Sequence, residues 1–133
     1  KGPGESPGPF VFSSYSHGVA PRRERLGIFH QGGDYLVAAL LLLSLARSDS
    51  PAWPLVIGVV GLANAAMTRG PLAAYRRVPL PAHAAVDVGL VVACLVGAFV
   101  VRSNTTDSLV LVSAAALEGT IVWLSRTADR AKE

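Results

Sequence analysis

Residues 82–101, AHAAVDVGLVVACLVGAFVV, run for twenty positions with no charged group other than Asp87 and the titratable His83. A helix that crosses a bilayer needs about 20 mostly apolar residues. A buried helix of a soluble bundle shows a polar stripe at a 3.6-residue period, and VGLVVACLVGAFVV, Val88–Val101, shows none. The segment is therefore read as a transmembrane helix. Three other stretches are nearly free of charge: Ile28–Ala46, Trp53–Thr68 and Leu109–Leu124. The last is almost long enough to span, and the first reaches that length by including its polar start at His30. The second is short, a deficit that local thinning or protein neighbours can absorb. Composition agrees: of 133 residues 51% are hydrophobic and 16% charged, with a mean hydropathy of +0.44. The expected fold is an all-α membrane protein with four transmembrane helices in a domain over residues 28–126.

Charge orients those helices. Lys1, Arg22, Arg23 and Arg25 precede the first span; Arg69, Arg76 and Arg77 lie between the second and third; Arg126, Arg130 and Lys132 follow the fourth. Only Arg47 and Arg102 fall in the other two turns. The positive-inside rule then places both termini and the central loop in the cytoplasm, a multi-pass arrangement in the lipid bilayer. Preference for Arg over Lys, with abundant Ala and Val, points to a bacterial inner membrane. The net charge of +3 needs no nucleic acid, because the basic residues flank the spans, where anionic headgroups lie.

The connections are written in turn chemistry. RSDSPAWP and RSNTTDS are short polar turns, so the helices pair as two hairpins, about 28–69 and 80–126. The Asp49–Ser50–Pro51 and Thr106–Asp107–Ser108 clusters are placed to cap the helices that follow. RGPLAAYRRVPLP joins the hairpins, and its three prolines forbid a continuous helix. Residues 1–27 open with the Gly/Pro-rich KGPGESPGP and contain no apolar core of signal-peptide kind. This segment is read as a flexible cytoplasmic tail or as one ordered on a partner subunit, its aromatics and arginines suiting either surface. Residues 127–133 form a cytoplasmic tail.

Polar residues inside the spans carry whatever chemistry the chain has. HQGGDYLVAALLLL begins at His30 and HAAVDVGLVVACLV at His83, so each apolar run opens with a histidine and, four residues on, an aspartate. Aligning His30 with His83 aligns Asp34 with Asp87 and one hairpin with the next, an internal repeat about an axis along the membrane normal. Asn64 and Glu118 complete the set; at 1.5 Å per residue Asn64 lies roughly 8 Å in from Arg69 and Glu118 roughly 12 Å in from Arg126. An unpaired carboxylate at the bilayer centre costs on the order of 2.5–3.5 kcal/mol, so each should face the bundle and find a partner or be protonated.

Histidine and aspartate at i and i+4 share a helix face. Gly32 and Gly33 interrupt the first pair and are candidates to break the helix there. As structural elements the pairs would cap and lock two related helix ends, with carboxylates near the positive end of the helix dipole. As functional elements they would form a bis-histidine haem site, or join Glu118 in a proton or ion path or a quinone pocket. No zinc-ligand spacing, nucleophilic triad or phosphate loop is present, and the single Cys94 excludes an internal disulfide. Gly89, Ala93 and Gly97, at four-residue spacing, form a small-residue strip for helix packing.

The stretch MTRGPLAAYRRVPLPAHAAVDVGLVVACL resembles small bacterial membrane proteins of the SPW-repeat type, in its Thr68/Gly70 turn, the basic residue before Pro79, and His83 and Asp87 before an apolar helix. HQGGDYL looks like the corresponding opening of the first unit. The tripeptide Ser-Pro-Trp is replaced by SPAW at Ser50–Trp53 and by CLVGAF in the second unit. The resemblance implies an integral membrane fold and brings neither an activity nor catalytic residues. The expected function is that of a non-catalytic accessory or scaffold subunit among other integral membrane proteins, with no cofactor. The alternative is a small carrier or redox module using the His/Asp/Glu cluster.

Overall fold

A computed structural model describes the backbone of residues 22–130 and the side chains of residues 25–127. Residues 1–21 and 131–133, which hold most of the N-terminal segment and the end of the tail, lie outside the described residues. Four helices follow in order: α1 Arg22–Ser44, α2 Ala52–Met67, α3 Leu80–Val100 and α4 Thr105–Arg130, with a 3₁₀ turn at Leu45–Arg47 after α1. The first helix, α1, begins at Arg22, six residues before the first apolar stretch. Gly32 and Gly33 do not break it. In an apolar setting the backbone N–H and C=O groups have no partner but their own helix, which holds two glycines in register.

Stretches within α1, α3 and α4 are each long and apolar enough to cross a membrane. The 16 residues of α2 rise about 24 Å, short of a hydrocarbon core of about 30 Å. Large apolar side chains face outward on every helix, among them Leu43, Val56, Phe99, Leu109 and Trp123. A surface of that kind is stable against lipid and not against water.

Around the bundle α1 packs on α2, α2 on α3, α3 on α4 and α4 on α1, so α1 and α3 stand diagonally across the centre. The core nearer the turns joins Leu41, Ile57, Cys94, Ala98 and Leu111. Close approach depends on missing side chains. A Cβ on Gly97 would lie 2.9 Å from Trp53 Cε3 and 3.2 Å from Leu111 Cδ1, and one on Gly33 would collide with Ile121 Cδ1. Gly89 has nothing within 4 Å. A four-residue step advances about 40° beyond one helical turn, so the strip Gly89, Ala93, Gly97 slides from the outer surface, through half-buried Ala93, into the helix interface.

Both ends of the bundle are tied. At the turn end, Asn104 Nδ2 donates to Asp49 Oδ2 at 2.7 Å and Ser50 N to Asp107 Oδ2 at 3.0 Å, which latches the two hairpin turns. Asn104, not the Thr106–Asp107–Ser108 cluster, caps α4 by accepting from Asp107 N. Pro51, at the cap position of α2, makes no side-chain cap. At the other end the central loop folds back over α2. Ala74 and Tyr75 N–H groups donate to Ala66 O, and Arg77 and Val78 N–H groups to Met67 O, satisfying carbonyls that a helix end leaves open. The reversal puts Arg76 at φ 48°, in the left-handed region.

Gly97→Val is expected to lower stability by about 1–3 kcal/mol through overpacking, and Gly89→Val to change it by less than about 0.5 kcal/mol. Unfolding of each variant in detergent, followed by circular dichroism, measures this. Equal losses would refute the assigned packing face.

Candidate functional site

The two histidine–aspartate pairs meet. Across the diagonal between α1 and α3, His30 Nε2 lies 3.2 Å from His83 Nε2. His83 Nε2 lies 3.2 Å from Asp34 Oδ2 and 3.3 Å from Asp87 Oδ2; His30 Nε2 lies 3.4 Å from Asp87 Oδ2 and 3.9 Å from Asp34 Oδ2. Each histidine is thus closer to an aspartate of the opposite helix, or as close, as to the one on its own. The reading of the pairs as separate helix caps is corrected by this geometry. Asp34 sits twelve residues into α1, about 18 Å along its axis, and Asp87 about 10 Å into α3, beyond the first turn in both cases.

Burial is nearly complete. Asp34, His83 and Asp87 are 5%, 2% and 1% exposed, while the side chain of His30 is 18% exposed. His30 is therefore the member that reaches the surroundings.

The remaining two helices hold this knot in place. Ser125 on α4 donates to the Ile121 carbonyl and meets His30 Nδ1 at 2.8 Å. Thr68, at the end of α2, donates to the Asn64 carbonyl and meets His83 Nδ1 at 2.8 Å. With its one hydrogen committed to its own helix, each hydroxyl presents a lone pair to the ring. That presents an acceptor to the Nδ1–H of each ring and turns both Nε2 atoms to the centre, where a hydrogen bond across their 3.2 Å contact takes a proton on one of them. The support is reciprocal: the first hairpin supplies the hydroxyl for the histidine of the second, and the second for the first.

Asn64 Nδ2 donates to Asp87 Oδ1 at 2.7 Å and to His83 O at 3.4 Å. Gln31, one turn from Asp34, ties α1 to its neighbours: its Nε2 donates to Ala65 O and its Oε1 accepts from Leu72 N, both at 2.8 Å. Three carboxylate oxygens of the knot, Asp34 Oδ1 and Oδ2 and Asp87 Oδ2, have no hydrogen-bond partner although imidazole nitrogens stand close by. The groups are grouped around a common point without aiming donor at acceptor. Glu118 on α4 is 3% exposed, its Oε1 is also unpartnered, and with Asp34, Asp87 and Cys94 it lines a narrow cavity continuing away from the knot.

Of the residues expected at a site, His30, Asp34, His83 and Asp87 form one cluster, Asn64 supports it and Glu118 stands beside it. Of the small-residue strip, Gly97 and half-buried Ala93 belong to packing, while Gly89 lies on the outer surface. Against the expectation of no metal ligands, these four side chains form a group in which one candidate ligand atom from each lies within 4.8 Å of the others. Linear spacing hides such a group, because its halves are 53 residues apart. The bis-histidine haem reading fails on geometry, since nitrogens 3.2 Å apart on rings inclined at 80° leave no slot for a macrocycle between them. The cavity beneath has room for about one water molecule, too little for a quinone ring. Gln31, Thr68 and Ser125 escaped sequence reasoning as site residues; Gln31 lay inside HQGGD, while an isolated serine near a helix end carries no signal at all. No protein family, curated protein or solved structure matches the chain.

Thr68→Val keeps the shape and removes the acceptor for His83 Nδ1–H, which is expected to cost about 1–3 kcal/mol, as an unsatisfied buried donor does. Thr68→Ser is expected to retain most of that stability. Thermal unfolding in detergent compares the two, and equal losses would show that the hydroxyl is not what holds the ring.

Proposed function

We propose that this protein is a small multi-pass carrier module of the bacterial cytoplasmic membrane, and that it binds a cation at the centre of its bundle. The observation that carries this reading is the convergence of Asp34 and Asp87 with unpartnered oxygens, Glu118 beside them, and only two imidazoles as counterparts. Among the described residues every ion pair is a histidine–aspartate contact, and no Lys or Arg enters the knot. Three carboxylates outnumber two imidazoles even when both rings are charged, so the site calls for a further positive charge, as a bound cation or as a proton on one carboxylate. The convergence of these groups favours the carrier over the accessory-subunit reading, whose support is the small-residue faces, the short spans and the N-terminal segment. Glu118 and the cavity below the knot offer the next polar station toward the membrane interior, which favours a carrier.

The distribution of Lys and Arg supports a cytoplasmic location for the termini, the central loop and the end of the bundle that holds the knot. Reciprocal hydroxyl support supports descent from a duplicated two-helix unit, in line with the resemblance to SPW-repeat proteins. One observation still favours association with other membrane subunits. The short α2 and the outward Gly89 suit a protein neighbour. Gentle purification followed by native mass spectrometry tests this, and a lone monomer would exclude such partners.

For the cation site, the purified protein is expected to gain several degrees in unfolding midpoint, on the order of 3 kcal/mol at a hundredfold excess over Kd, with at least one of Na⁺, K⁺, Mg²⁺, Ca²⁺, Mn²⁺ and Zn²⁺. The gain should vanish in Asp87→Asn, whose side chain can still bond Asn64. An unchanged midpoint with all six ions would sink the reading. Uptake of the stabilising ion by proteoliposomes is the corresponding test of transport.

A further inference from the structure

We infer that the cation is a divalent transition-metal ion of the zinc class, held in four-coordinate geometry by His30 Nε2, Asp34 Oδ2, His83 Nε2 and Asp87 Oδ2. This rests on the cation-site reading above and names its substrate.

The first argument is metric. Bonds of about 2.0–2.1 Å to nitrogen and carboxylate oxygen, directed tetrahedrally, set the ligand atoms about 3.3 Å apart. Four of the edges here are 3.2, 3.2, 3.3 and 3.4 Å, and a fifth is 3.9 Å. An oxygen of one carboxylate also lies within 4.8 Å of an oxygen of the other. Four side chains from two diagonal helices therefore already stand close to the vertices of such a site.

The second argument is the direction of the lone pairs. Oxygens that served only as ion-pair partners would be aligned with the N–H groups around them, yet Asp34 Oδ2 and Asp87 Oδ2, on side chains 4% and 1% exposed, accept no hydrogen bond. Both imidazoles turn Nε2 to the same point because Nδ1 is engaged by Thr68 or Ser125. A histidine that binds a metal characteristically donates its other ring N–H to an outer partner that fixes the tautomer, and here each ring has one. Asp87 is likewise oriented by Asn64 through its other oxygen.

Donor chemistry then separates the candidate ions. Magnesium and calcium favour oxygen donors, six for the first and six to eight for the second, whereas two imidazoles and two carboxylates are a set for zinc and its neighbours. Two neutral imidazoles and two carboxylates also balance a divalent charge, and with Glu118 protonated the bound ion would leave no net charge in the low-dielectric interior. Entry is on the side of His30, the one ligand with a partly exposed side chain.

The test uses the full chain in detergent, with Zn²⁺ and Co²⁺ as probes. Equilibrium dialysis with elemental analysis should give one Zn²⁺ per chain. Co²⁺ should produce the intense visible bands of tetrahedral coordination and be displaced by Zn²⁺. His83→Ala should abolish both signals; Thr68→Val and Ser125→Ala should each weaken affinity about 10–100-fold. Cys94→Ala should leave affinity unchanged, separating the site from adventitious thiol binding. The wild-type cobalt spectrum decides the matter even if a variant fails to fold. Weak octahedral cobalt bands, or stabilisation by Mg²⁺, Ca²⁺ or alkali ions alone, would overturn the metal class and leave the cation site standing. Absence of any bound or stabilising ion would overturn both.

Discussion

A carboxylate placed among apolar helices costs kilocalories unless something positive or hydrogen-bonding answers it, and this bundle buries four: Asp107 at the turn end, and Asp34, Asp87 and Glu118 within the spans. The arrangement of all four helices follows from answering them. Standing diagonally, α1 and α3 each bring a histidine–aspartate pair to the centre, while α2 and α4 fill the flanks with Asn64, Thr68 and Ser125. Polar groups placed on the outer face would meet lipid, so the inward side of each helix is fixed as much by its charged residues as by its apolar ones. This reverses the usual soluble pattern, with Leu43, Phe99 and Trp123 outside and acids inside.

Precision at the centre depends on features some distance from it. The central loop covers the last carbonyls of α2, which holds Thr68 in place for His83. Gln31 joins α1 to the end of α2 and to the loop, so that His30 and Asp34 on its flanks keep their orientation. The seat of Ile121 on Gly33 lets α4 approach α1, and Ser125 one turn further reaches His30. At the opposite end the latch between the hairpin turns closes the ring. A cluster of four converging side chains needs such support, because a functional geometry tolerates errors of only about half an ångström.

The four helices were legible in uninterrupted apolar runs such as Val88–Val101, since a missing polar stripe has one physical meaning in a helix of that length. Boundaries were less so: the charged turn Arg22–Glu24 reads as flank but forms the start of α1. The glycines at 32 and 33 looked like breakers because their conformational freedom is visible in a sequence, whereas the Ile121 side chain they accommodate is not. The repeated His-x₃-Asp pattern marked the polar residues that matter without saying that the two copies touch. A strip of small residues at four-residue spacing looked uniform, yet the 40° drift per step sends Gly89 and Gly97 to different surroundings.

By itself the sequence determined the helical class, the apolar spans and the identity of the costly polar groups, because period, length and charge are local properties that each segment carries alone. Tertiary structure decided what those groups do together. Contacts between His30 and His83 across 53 residues, the hydroxyls that meet their Nδ1 atoms and the unpartnered oxygens between them all depend on which helices stand diagonally. That choice is made by the packing of four helices at once, and no single segment encodes it.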